Sequence, residues 1–114
     1  MADANDLIPA YTPSPGEILL VELQARGWSQ RQFAGIIGKP PQAVSEILHG
    51  KKQLTPETAL RIAAALGTSV ELWINLEASY RLALARQKFP SQLWAEIANR
   101  SQNLDMQAIS VATL

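Results

Sequence analysis

With 114 residues, 47% of them hydrophobic and 18% charged, the chain has enough apolar material for one cored domain and too few charges for a disordered one. It contains no cysteine and a single histidine, His49, which removes disulfides, thiolate chemistry and the usual transition-metal ligand sets. Formal net charge is zero, yet residues 1–25 carry four acids and no base, while residues 26–61 carry six bases against two acids and so a net +4. A locally basic segment is what phosphate binding requires, whatever the total.

Residues 1–13 are polar, include Pro9 and Pro13, show no period, and read as a flexible N-terminal arm. Ser14-Pro15-Gly16-Glu17 then forms a capping box with proline at the first helical position, which predicts a helix over 15–26. Ser29 to Gln32 repeats the S-x-x-Q pattern and predicts a second helix over 29–37. A third is expected over 41–48. Thr55 with Pro56 opens a fourth over 56–66, and Thr68 with Glu71 is expected to cap a fifth over 70–87. A sixth is expected over 91–100. Gly27, Gly38, Gly50 and Gly67 stand where helices should stop. No strand-like alternation of useful length appears, so the fold class is all-α. Connections of two to six residues between short helices predict a compact orthogonal bundle. Apolar spacing supplies its core: Phe33, Ala34 and Ile37, then Val44, Ile47 and Leu48, then Leu60, Ala63 and Leu66. Trp73, Leu76, Tyr80 and Leu84 make a stripe along the longest helix, serving as core or, together with Trp94, as a dimer face.

Gln30 to His49 fits a helix-turn-helix. Ala34 is small where the second helix must cross the first, and Gly38 allows the left-handed exit from that first helix. Val44 and Ile47, six and nine residues past the glycine, return to Phe33 and Ile37. Lys39 departs from the usual apolar residue after the turn; its stem is expected to cover the core while the ammonium reaches out. The Pro40-Pro41 pair looks like a break in the second helix. Proline in a helix interior costs about 3 kcal/mol, but at the first helical position its missing amide has no partner to lose. Pro41 fits that position and Pro40 the cap, so the pair starts the helix. Base reading then falls to side chains. Gln42 can pair with adenine, Pro41 or Ala43 can touch a thymine methyl, Ser45 faces outward, and Glu46 can accept from cytosine. Glu46 facing phosphate is repelled, and its alternative is an ion pair with Lys51 or Arg31. Candidate phosphate contacts are Ser29, Gln30 and Arg31, then Lys39, Lys51 and Lys52. His49, at the helix end, reads as a surface residue or helix-dipole partner.

The motifs "PGEIL" (15–19), "PPQAVSEI" (40–47), "GKKQLTPETALRIAAALGTS" (50–69) and "WINLEASY" (73–80) give residues 15 to about 87 a likeness. The stretch resembles HigA-type antitoxins, within the lambda-repressor-like (XRE) helix-turn-helix group. The resemblance implies a five-helix orthogonal bundle, a homodimer, and two functions: neutralising a RelE-like ribonuclease toxin, HigB, and repressing the shared operon at a palindromic operator. The expected division is an arm (1–13), a DNA-binding domain (14–88) and a C-terminal helix or tail (89–114) outside the resemblance. A repressor without a toxin, and an interaction module that has lost DNA binding, are the alternatives. An enzyme is not expected, since there is no H-E-x-x-H, no glycine-rich phosphate loop and no clustered carboxylates. The longest apolar runs, "ILLV" and "AAAL", fall far short of the roughly 20 residues of a membrane helix. Asp3 and Asp6 do not suit a secretory signal. The expectation is a soluble cytoplasmic protein without a cofactor.

Overall fold

The computed structural model describes residues 11–112, with side chains through Leu104. The described residues form α1 (Pro15–Arg26), α2 (Gln30–Ile37), α3 (Pro41–Leu48), α4 (Pro56–Leu66), α5 (Val70–Lys88) and α6 (Ser91–Ala112), with no strand among them. The chain divides into two compact units, one ending at Leu82 and the other starting at Ala83, so that α5 contributes to both.

Local chemistry sets the helix starts. Ser14 and Glu17 form the reciprocal capping box of α1, and Ser29 and Gln32 that of α2. The Thr55 hydroxyl accepts from the Thr58 amide at 3.2 Å to open α4. Gly27, Gly38, Gly50 and Gly67 all take positive φ. At Gly38 (φ 71°) this geometry reverses the chain between α2 and α3, a turn that a side chain would strain.

Three expectations about these helices need correction. Ser69, not Thr68, caps α5, accepting from the Leu72 amide at 3.1 Å; Thr68 instead accepts from the Trp73 indole at 2.7 Å. A buried indole needs a partner for its N–H, and Thr68 is the hydroxyl within reach. Leu60, expected in the core, is 56% exposed; the buried face of α4 is Ala59, Ile62, Ala63 and Leu66. The sixth helix also runs beyond the expected 100, to Ala112, because no glycine or proline follows Pro90 to stop it.

The core of the first unit gathers Leu19 and Leu23 from α1, Phe33, Ala34 and Ile37 from α2, and Val44 and Ile47 from α3. Leu54, the buried face of α4 and Trp73 complete it. Of the Trp73 stripe, Trp73 is fully buried, Leu76 packs partly against the core and Tyr80 is half-buried. Gly16 marks the tightest approach. A Cβ there would overlap the carbonyl oxygens of Ile47 and Leu48, so the start of α1 sits directly on the end of α3.

Three arginines tie helix ends across this unit by one repeated arrangement. Each pairs with a glutamate one turn earlier (Glu22–Arg26, Glu57–Arg61, Glu77–Arg81) and also donates to a distant carbonyl. Arg26 reaches Leu66 O at 3.1 Å, Arg61 reaches Ile37 O at 2.7 Å, and Arg81 reaches Lys52 O at 3.2 Å. The first two acceptors are last-turn carbonyls of α4 and α2, groups a helix leaves without an internal partner.

In the second unit, Leu84 is half-buried, and Phe89 and Trp94 meet edge to face with centroids 6.2 Å apart. Phe89, Trp94, Ile97 and Ala98 line a shallow apolar hollow, and Trp94 is 71% exposed.

Candidate nucleic-acid interface

The surface of interest is built by α2, the turn at Gly38, α3 and the loop that follows. Ala34, 1% exposed, is the small residue at the crossing, and Val44 and Ile47 turn the inner face of α3 onto Phe33 and Ile37. The outer face is thereby fixed. Pro41 and Gln42 are exposed, while Ala43, Ser45 and Glu46 are half-buried. Pro40 is extended (φ −63°, ψ 147°) and caps α3 with no side-chain hydrogen bond, and Pro41 takes the first helical position. The prolines start the helix, as the sequence implies. Ala43 and Val44 both donate to the Pro40 carbonyl, at 3.0 and 3.4 Å. With Pro40 and Pro41 lacking N–H groups, the hydrogen-bonding capacity of the first turn of α3 lies chiefly in its side chains.

The candidate cations surround this face. Arg31 is exposed near the start of α2, Lys39 is half-buried in the turn, and Lys51 and Lys52 are exposed beyond α3. Ser29 is partly occupied: its amide donates to Gln32 Oε1 at 2.8 Å and its hydroxyl accepts from Gln32 N at 3.0 Å. Gln30 beside it is exposed. Gln42, Ser45, Glu46, Lys51 and Lys52 border one shallow hollow. The partner of Glu46 is neither Lys51 nor Arg31 but Lys52, whose Nζ lies 3.0 Å from Glu46 Oε2. The reason is the turn after α3. Lys51 N donates to Glu46 O at 2.9 Å, curling the chain so that the next side chain comes back over the carboxylate. His49 is exposed, with Nδ1 2.8 Å from Ser45 O and 3.3 Å from Ser45 Oγ, a local contact one turn away.

Two carboxylates of the first unit have pKa values below the ordinary one. A hydrogen bond from Arg61, reinforced by the charges of Lys39 and Arg61, lowers the pKa of Glu57. Hydrogen bonding from Tyr11 and from the Ser14 amide lowers that of Glu17, and Glu17 in turn raises the Tyr11 phenol.

Sequence reasoning did not find the elements that hold this surface from behind. Glu77 Oε1 accepts from Leu54 N at 2.9 Å, and Arg81 holds Lys52 O, so α5 fixes the loop carrying both lysines. The E-x-x-x-R spacing is visible in the sequence, but the distant acceptor is not. Among the described residues no His, Cys, Asp or Glu cluster could hold a metal ion, and no helix is long and apolar enough to cross a membrane.

A short helix, a glycine turn and a second helix seated on an alanine, with its polar face turned outward, define a helix-turn-helix. The helix-turn-helix family model (HTH_3) matches residues 21–73. The chain is 36% identical over 78 residues to the HTH-type transcriptional regulator YddM of Escherichia coli K12, spanning 68% of this chain and 83% of that protein. It is also similar to an addiction module antidote protein of the HigA family from Coxiella burnetii. There the identity is 36% and the TM-score 0.70, over 75% of this chain and 94% of the other. The Pseudomonas aeruginosa antitoxin HigA, solved with the higBA promoter, matches with 27% identity and a TM-score of 0.69, over 73% and 91% of the two chains. The chain belongs to the HTH_3 helix-turn-helix family and, within it, to the HigA-type antitoxins.

Proposed function

We propose that this chain is a cytoplasmic HigA-type antitoxin that binds operator DNA through α3, represses its own operon and neutralises a RelE-like ribonuclease. The observation that carries the DNA reading is the outward face of α3, with Gln42, Ser45 and Glu46 beside exposed Lys51 and Lys52. The solved complex of Pseudomonas aeruginosa HigA with the higBA promoter supports it. In this reading residues 14–88 form the DNA-binding domain, and Pro41, Gln42, Ala43, Ser45 and Glu46 face the bases. Ser29, Gln30, Arg31, Lys39 and Lys51 face phosphate. A homodimer, with the stripe through Tyr80 and Leu84 at its interface, brings two copies of α3 about 34 Å apart, one turn of the duplex.

The test is duplex binding by the full chain across salt. Affinity for a selected sequence falls steeply between about 50 and 200 mM salt, with a log–log slope of about −0.9 per phosphate neutralised. Equal, weak binding to all duplexes at low and high salt would end the DNA reading. For the toxin, the test is whether a reading frame beside the gene encodes a small RelE-like ribonuclease, whose toxicity this chain should then relieve on co-expression and with which it should copurify. Repression without a toxin is the second reading, favoured by the likeness to YddM, a transcriptional regulator by name.

A further inference from the structure

The reading helix carries a carboxylate, and a carboxylate beside phosphates is repelled unless its charge is answered. Glu46 lies on α3 one turn beyond Gln42, and its side chain keeps 19% exposure, against 73% for Lys52. The 3.0 Å approach of Lys52 supplies the answering charge. The backbone that carries Lys52 is held on both sides, which fixes the point from which its side chain reaches Glu46. Its carbonyl accepts from Arg81 at 3.2 Å, the Lys51 amide donates to Glu46 O at 2.9 Å, and the Leu54 amide donates to Glu77 at 2.9 Å. Lys51 has no such engagement: among the described residues its side chain enters no ion pair.

A carboxylate held this way has acceptors only, and in the major groove the base group that presents a lone donor is the cytosine amine. A lysine paired with that carboxylate presents little net charge to a phosphate. Resting on the DNA-binding reading above, we propose that Glu46 reads a cytosine, and that Lys52 is its positioning residue rather than a phosphate contact. The two adjacent lysines thus differ in role: Lys51 faces the backbone of the duplex, and Lys52 serves the base contact.

The experiment enriches a preferred sequence from a random duplex pool with the full wild-type chain. It then measures affinity for every single base-pair change, across salt, for Glu46→Ala, Lys52→Met, Lys52→Arg and Lys51→Met. Glu46→Ala is expected to erase a preference of about tenfold for C·G at one position of each half-site and to leave other positions unchanged. Lys52→Met erases the same preference with the salt slope unaltered, and Lys52→Arg restores it. Lys51→Met lowers the slope by about 0.9 per site and weakens all sequences alike. Unchanged thermal unfolding midpoints establish that the variants fold. The proposal is overturned if Glu46→Ala keeps every base preference, or if Lys52→Met lowers the slope as Lys51→Met does. It is overturned equally if Lys52→Met leaves the cytosine preference intact. Failure of the wild type to enrich any sequence removes the DNA reading itself, a separate result.

Discussion

Gly16 and Gly35 carry the same side chain, a single hydrogen, for different reasons. A methyl group at Gly16 would enter the carbonyls of Ile47 and Leu48, which are backbone and cannot step aside. Gly35, within α2, has no atom within 4 Å of the added position. Gly16→Ala should therefore destabilise the protein by about 1–3 kcal/mol, the usual cost of overpacking, despite alanine's better helix propensity. Gly35→Ala should stabilise it by about 0.5–1 kcal/mol. Chemical denaturation of the two variants checks both, and opposite signs are the expected outcome. Glu57 supplies a pH signature at the same scale. Its folded-state pKa is lowered by Arg61 and Lys39, so its contribution is present above the unfolded value and is lost as pH falls through the folded one. Wild type should thus exceed Glu57→Gln in stability at neutral pH, with the gap closing as acid titrates that carboxylate. Unfolding midpoints measured from neutral pH to about 3 follow it, and a gap that widens in acid contradicts the assignment.

At the scale of elements, what the sequence discloses and what it hides separate cleanly. Starts and stops are local chemistry, so Ser14 with Glu17, Ser29 with Gln32, and Thr55 act where their spacing places them. The Pro40-Pro41 start of α3 is legible for the same reason: a missing N–H matters only where a partner would be lost. Partners across the fold are not local. Glu46 meets Lys52 rather than Lys51 because the turn after α3 decides which lysine returns over the carboxylate, and residue spacing alone does not fix that turn. Likewise Thr68 is drawn from capping α5 by the indole of Trp73, a side chain five positions away on the helix it would have capped. The Glu77–Arg81 pair is the most consequential hidden contact. Glu77 is largely buried and takes the Leu54 amide, so removing it strands a donor as well as an arginine. Glu77→Ala should cost about 2 kcal/mol by chemical denaturation, in the range of hydrogen bonds to charged groups. It should also increase amide exchange at Leu54, which a purely electrostatic surface role would leave unchanged.

For the whole molecule, the separation of charge and of core matters more than the totals. A net charge of zero conceals the basic segment 26–61, and that segment contributes α2, α3 and the lysine loop of one surface. Among the described residues the buried hydrophobic cluster lies between Leu19 and Trp73, within the unit that ends at Leu82. A chain ending at Lys88 should therefore keep the thermal midpoint of the full protein to within about 4 °C, the shift expected from 1 kcal/mol in a domain of this size. A larger fall would show that residues 89–114 contribute to the stability of the bundle. The role of that segment was the least legible part of the sequence, because Phe89, Trp94 and Ile97 are apolar at helical spacing yet largely exposed, and periodicity does not say what faces a stripe.

The division of α3 into a seated face and an open one has an evolutionary consequence. Val44 and Ile47 hold the helix, whereas Gln42, Ser45 and Glu46 lie outside the buried core cluster. Substitutions on the open face can accumulate without first being compensated inside. If α3 reads DNA as proposed, a duplicated gene would acquire a different DNA address in a few steps while its scaffold stayed under unchanged selection. Sister copies in one cell would then be insulated from each other's targets by three side chains.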